Sequence, residues 1–169
     1  IAMRPVLAWG SVSLALLVGL GAYLAPLKPS LVALQFTFTP EAFGTVLAAW
    51  QPVGVALYRS HLPVDGVLLL SYGWFGYLLA STSPLFAQYA AGHRRSLAWL
   101  LPLAAVADSG ENLLHWLLTS DGAVHAPWIY ALAGACASLK WCGLLVFAAA
   151  VLWAWTHRKP GSDPTQPAQ

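Results

Sequence analysis

Asp108, Glu111, Asn112 and His115 follow one another at intervals of three, one and three residues, and Lys140 stands alone in the next apolar run. At 3.6 residues per turn the first four side chains share one helix face over about two turns. Carboxyl groups, a carboxamide and an imidazole on one face suit acid-base chemistry, or a site that takes the hydroxyl or cationic head of a ligand. In that reading Asp108, Glu111 and His115 are the candidate catalytic groups, with Asn112 and Lys140 as binding residues. Asp65 and Tyr72, seven residues apart on an earlier segment, share a face and join the binding set.

The surroundings make these groups expensive to hold. Of 169 residues 59% are hydrophobic and 8% charged, against about 25% charged in soluble domains. Mean hydropathy is +0.65, so lipid is the expected solvent. The same composition excludes disorder, and a net charge of +2 without a basic run excludes a nucleic-acid partner. A spanning helix needs about 20 apolar residues. Four runs meet that need, at 5–24, 63–80, 96–119 and 127–155, with an outer loop at 25–62. The first is read as an uncleaved anchor, because its apolar stretch is longer than a signal-peptide core and Tyr23 spoils a small-residue cleavage pattern.

The expected fold is therefore an all-α integral membrane protein, a four-transmembrane-helix bundle running up-down-up-down as one domain over 1–159. A polar tail at 160–169 is expected to be disordered. Arg4, Arg94, Arg95, Arg158 and Lys159 fall on one side, and Lys28 and Arg59 on the other. By the positive-inside rule both termini are cytoplasmic, in what is expected to be a bacterial plasma (inner) membrane. Trp9, Trp99, Trp116, Trp128, Trp153 and Trp155 near the run ends suit an aromatic belt. Within the outer loop, Thr39 as N-cap, Pro40 at the first helical position and Glu41 in the first turn announce a short helix. Phe43, Leu47 and Trp50 give it an apolar face, Pro52 breaks it, and Val53 to Ser60 make another turn or two. This amphipathic segment either lies on the outer leaflet or plugs the bundle mouth.

Depth ties the two charged helices together. Counting inward, Asp108 is eleven residues from Thr119, or about 16 Å, and Lys140 thirteen from Pro127, or about 20 Å. An Asp108–Lys140 ion pair is expected, with Glu111, Asn112 and His115 stepping from it toward the outer surface. Leu101, Ala104 and Ala105 extend the inward face of the third run, while Val106, Leu113 and Leu117 suit lipid. On the fourth run Ala133, Cys136, Ala137 and Gly143 form a stripe that lets helices approach closely. Insertion costs about 2.5 to 3.5 kcal/mol for each central Asp or Lys, so pairing is required. With two acids to one base, the cluster is expected to share one proton.

The alternatives divide by class. The first reading is a pocket for a lipid-like or amphipathic molecule from the outer leaflet, entered by a funnel lined with Asp65, Tyr72, Glu111, Asn112 and His115, where chemistry is open. The second is an accessory subunit of a larger membrane complex, or a homo-oligomer, in which the cluster fixes helix register. The third is a proton or ion carrier, which the apolar inner half of the third run, Leu97 to Ala107, disfavours. A cavity beside Glu111 and His115 would favour the first, and a filled interior the second. No cofactor or metal is called for: His61, His93, His125 and His157 read as interface residues, and a zinc site of Glu111, His115 and a loop histidine lacks dedicated spacing. Cys136 and Cys142, six residues apart on one helix, point apart and read as small packing residues.

Overall fold

The computed structural model describes residues 3–120 and 124–157. The tail at 160–169 and the cations Arg158 and Lys159 lie outside the described residues. Among the described residues five α-helices appear in chain order: α1 (Met3–Leu24), α2 (Leu31–Gln35), α3 (Pro40–Thr82), α4 (Ala91–Leu118) and α5 (Pro127–Thr156). A 3₁₀ turn at Pro84–Phe86 joins α3 to α4, and no strand occurs among the described residues. The chain is all-helical, and α1, α3 and α5 are long and apolar enough to cross a membrane. At 28 residues α4 has the length as well. Arg94, Arg95, Asp108, Glu111 and Asn112 lower its hydropathy, so it is not among those three.

The second expected run, 63–80, is part of a longer element. α3 begins where Thr39 Oγ1 accepts from the Ala42 amide at 3.2 Å, and it bends once, at Gln51 (φ 56°, ψ 174°). Pro52 explains the bend: as the first residue of a new helical limb it needs no amide proton, and it drives the preceding residue out of the helical region. From Pro52 the helix runs on to Thr82 through Pro63, where a break was expected. Pro63 sits on the exposed side of α3. There its missing N–H leaves one carbonyl four residues back to be met by local adjustment, as apolar helices allow.

Left-handed backbone at a non-glycine costs about 1 to 3 kcal/mol, and glycine returns about 0.5 to 1 kcal/mol of that as lost chain entropy. Gln51 is exposed, so Gln51→Gly should raise stability by about 1 kcal/mol, read as a higher midpoint of thermal unfolding in detergent. A lower midpoint would contradict the strain assigned to Gln51.

The long helices pack in chain order, α1 on α3, α3 on α4 and α4 on α5. Close approach is made by small residues. A Cβ on Gly76 would lie 2.5 Å from Leu101 Cβ and Cδ1, and one on Gly143 would lie 3.0 Å from Ala104 Cβ. The face of α4 expected to turn inward does so: Leu101, Ala104 and Ala105 are buried, while Val106, Leu113 and Leu117 are exposed.

Two apolar clusters close the ends. At one end Leu34, Phe43, Val46, Trp50, Leu62, Leu118 and Tyr130 pack together. At the other Ala80, Phe86, Ala98, Leu101, Phe147 and Ala154 do so. The first shows what the segment at 25–62 packs against, while Val32, Phe36 and Phe38 of the same segment stay exposed. α2 and the 40–50 limb of α3 bury Leu34, Phe43, Val46 and Trp50 against Tyr130, Ala133 and Leu118, so the segment is a plug over the helix ends. Trp50 Nε1 donates to the Pro29 carbonyl at 2.6 Å and pins the loop beneath it. A Cβ on Gly134 would meet Phe38 at 2.7 Å, which marks how tightly the plug seats on α5.

Candidate functional site

Between the two apolar clusters lies a polar layer drawn from α3, α4 and α5. α4 presents Asp108, Glu111 and His115, with 7, 1 and 0% of their surfaces exposed, and α5 presents Lys140 at 4%. Lys140 Nζ donates to Asp108 Oδ1 at 2.9 Å. It also lies 2.6 Å from Glu111 Oε2. The Asp108–Lys140 pair expected from depth alone is thus present, and Glu111 shares the same ammonium.

α3 supplies a row at seven-residue intervals: Tyr58, Asp65 and Tyr72. Tyr72 Oη donates to Asp108 Oδ2 at 3.2 Å. Asn112 Nδ2 donates to Asp65 Oδ2 at 2.6 Å. Tyr58 Oη lies 2.7 Å from His115 Nδ1, which is also 3.8 Å from Glu111 Oε1. With the phenol as donor, the imidazole proton sits on Nε2. That atom is fully buried and has no hydrogen-bond partner among the described residues.

All seven site residues singled out by spacing therefore meet in one layer, but two features of the expected funnel do not hold. The mouth expected at this end is closed: the Phe43 ring stands 5.5 Å from that of His115, and Phe43 packs edge-on to Tyr130 at 5.3 Å. Tyr72 reaches the end of the layer remote from the plug, at Asp108, and does not line the expected passage. The interior beside Glu111 and His115 is filled, with Tyr58 at 1% exposure.

His61, read as an interface residue, is 3% exposed and turns its Nδ1 to the Tyr58 carbonyl. Its ring stacks obliquely 4.8 Å from that of Tyr58. The α3 helix carries it inward because 61 follows 58 by one turn. Cys136 packs on Gly110, where an added Cβ would lie 3.4 Å from its Sγ, whereas Cys142 is exposed and packs little.

Sequence reasoning missed Tyr58, the partner of His115. The signal was present: 58 lies seven residues before Asp65 and fourteen before Tyr72 on one face. It was hidden by the assumption that Pro63 starts the span. Gln35 was missed as well. Its Oε1 accepts from Trp141 Nε1 at 3.0 Å, tying the plug to the residue that follows Lys140. Arg59 was placed only as an outer cation. Its guanidinium lies 4.2 Å over the Trp116 ring and donates to the Trp116 carbonyl at 3.1 Å and to Thr119 Oγ1 at 3.0 Å.

Chemically, two carboxyl groups, one ammonium, one imidazole and two phenols form a nearly continuous polar path from Tyr58 through His115, Glu111, Lys140 and Asp108 to Tyr72, with the Asp65–Asn112 pair beside it. Such a path can hold a proton, move it between neighbours, or exchange an internal contact for a ligand's hydroxyl or amine. No group of three or more His, Cys, Asp or Glu side chains among the described residues is arranged to hold a metal ion. No family model, no curated protein and no solved structure matches this chain.

Proposed function

We propose that this chain is a four-span protein of the plasma (inner) membrane, with cytoplasmic termini, whose plugged polar layer receives the head group of a lipid-like or amphipathic molecule from the outer leaflet. Support for the fourth span comes from α4 itself: its carboxyl groups, Asp108 and Glu111, are buried, while Val106, Leu113 and Leu117 face outward. A helix so arranged needs less apolar composition than a solitary one.

The observation that carries the binding reading is His115 Nε2. A buried polar atom left unpartnered costs about 1 to 3 kcal/mol, and a network that only fixed helix register would have no use for it. Beside it, Glu111 and Lys140 supply an acceptor and a donor. In this reading the head group enters when the 40–50 limb swings at Gln51, and its hydroxyl accepts from His115 Nε2 and donates to the Glu111 carboxylate. Any reaction on it would draw on Glu111, Asp108 and His115 for proton transfer.

The test is thermal unfolding of purified protein in mild detergent with uncharged amphiphiles: a fatty alcohol and a monoacylglycerol. A bound amphiphile at a hundredfold excess over its Kd should add about 2.7 kcal/mol to wild-type stability. Glu111→Gln and His115→Leu should fold yet lose that gain. Equal gains in all three proteins, or none with any of the probes, would sink this reading.

The filled interior favours a second reading, an accessory subunit or homo-oligomer in which the layer locks α3, α4 and α5 together. Co-migration with a larger complex in mild detergent, with no amphiphile effect, is its signature.

A further inference from the structure

At the end of the molecule remote from the plug, a cleft of about 560 Å³ opens between the C-terminal end of α3 and the first turns of α4. Tyr77, Ser81, Tyr89, Arg94, Arg95 and Trp99 line it. We propose that this cleft binds the phosphate of an anionic membrane lipid, a site distinct from the polar layer. It rests on the membrane reading of the chain but not on any ligand at Glu111 or His115.

The two arginines differ in their commitments. Arg94 Nε donates to the Ala80 carbonyl at 2.9 Å, and its Nη2 donates to the Ser81 carbonyl, so its guanidinium is fixed across the end of α3. Arg95 is exposed. Neither forms an ion pair among the described residues, where the nearest acid along α4 is Asp108, thirteen residues beyond Arg95. That separation is about 20 Å along the helix. Among the described residues, two cations thus face one cleft with no carboxylate paired to either. Guanidinium groups meet phosphate oxygens with paired, charge-assisted hydrogen bonds.

The position selects a lipid over a free anion. α3 is apolar enough to cross a membrane, so its C-terminal end lies at head-group depth. Tyr77 is stacked on Trp74 at 5.5 Å and set edge-on to Trp99 at 5.5 Å. That aromatic cluster marks the interface level, where basic pockets between spans hold anionic head groups.

The experiment is a native mass-spectrometric titration of the full chain in a neutral detergent with phosphatidylglycerol or phosphatidylcholine. Wild type should retain phosphatidylglycerol in preference to phosphatidylcholine. Arg95→Gln should lower the bound phosphatidylglycerol about fivefold, the value of one cation at an anionic surface, with phosphatidylcholine unchanged. Arg95→Lys should keep most of the binding. Lys28→Gln, an exposed cation at the other end, makes the same change in net charge and should have no effect. Equal retention of the two lipids, an unaltered Arg95→Gln, or an equal loss in Lys28→Gln would overturn the proposal. Displacement of the lipid by millimolar inorganic phosphate would also overturn it, by assigning the cleft to a soluble phosphate.

Discussion

Lys140→Met should cost the folded protein about 3 to 5 kcal/mol, the penalty for removing one partner of a buried ion pair. The size follows from the contacts: one ammonium holds Asp108 at 2.9 Å and Glu111 at 2.6 Å, and both acids are almost wholly buried. Methionine fills the space but leaves two carboxyl groups facing each other in an apolar layer. The measurement is folded yield and unfolding midpoint in detergent, and wild-type values would refute the pairing energetics. The companion variant Lys140→Met/Asp108→Asn/Glu111→Gln removes the three charges of the ion-pair cluster at once and should recover part of the loss, because no unpaired charge is left buried there while the two amides still need partners. If the triple variant folds but no longer responds to amphiphiles, stability and binding have been separated within one cluster.

Gly76→Val should cost about 3 kcal/mol, at the upper end for overpacking. Its Cβ would stand 2.5 Å from both Cβ and Cδ1 of Leu101 and 2.6 Å from Cγ. Most of that overlap is with atoms near the α4 backbone, so no rotamer change relieves it and α3 must move away from α4. Leu101→Ala in the same chain should restore only part of the loss, since the Cβ contact persists. Full rescue, or no loss in the single variant, would show that the two helices are less closely held than Gly76 implies. Tyr72 lies one turn from Gly76, so the same shift should lengthen the Tyr72–Asp108 bond and weaken any amphiphile response.

The polar layer was legible because its period was unambiguous: Asp108, Glu111 and His115 on one face, and Lys140 at matching depth, leave one economical way to neutralise charge in an apolar setting. α1 and α5 were legible for a simpler reason, unbroken apolar length, and their bounds, Met3–Leu24 and Pro127–Thr156, fall close to the runs at 5–24 and 127–155. α3 was not. Proline marks both a helix start and a tolerated interior position, and local sequence does not distinguish Pro52, which starts a limb, from Pro63, which the helix passes through. That ambiguity hid Tyr58 and His61, and with them the partner of His115. The choice between leaflet and plug for residues 31–50 was also beyond local sequence. An apolar face at helical spacing serves either, and only the tertiary contacts of Phe43, Val46 and Trp50 show that the segment seats on the helix ends. The arginine cleft had no sequence signal beyond two adjacent cations, because it is made by the meeting of α3 and α4.

The composition of α4 bears on how this chain is made. An emerging segment with Asp108, Glu111 and Asn112 near its middle falls short of the apolar character of its neighbours, and would partition reluctantly into hydrocarbon if presented by itself. Its neutralising cation is on the segment synthesised next. On the four-span reading proposed above, α4 would wait beside the insertion machinery until α5 emerges, and the two would enter as a preformed hairpin with their salt bridge already closed.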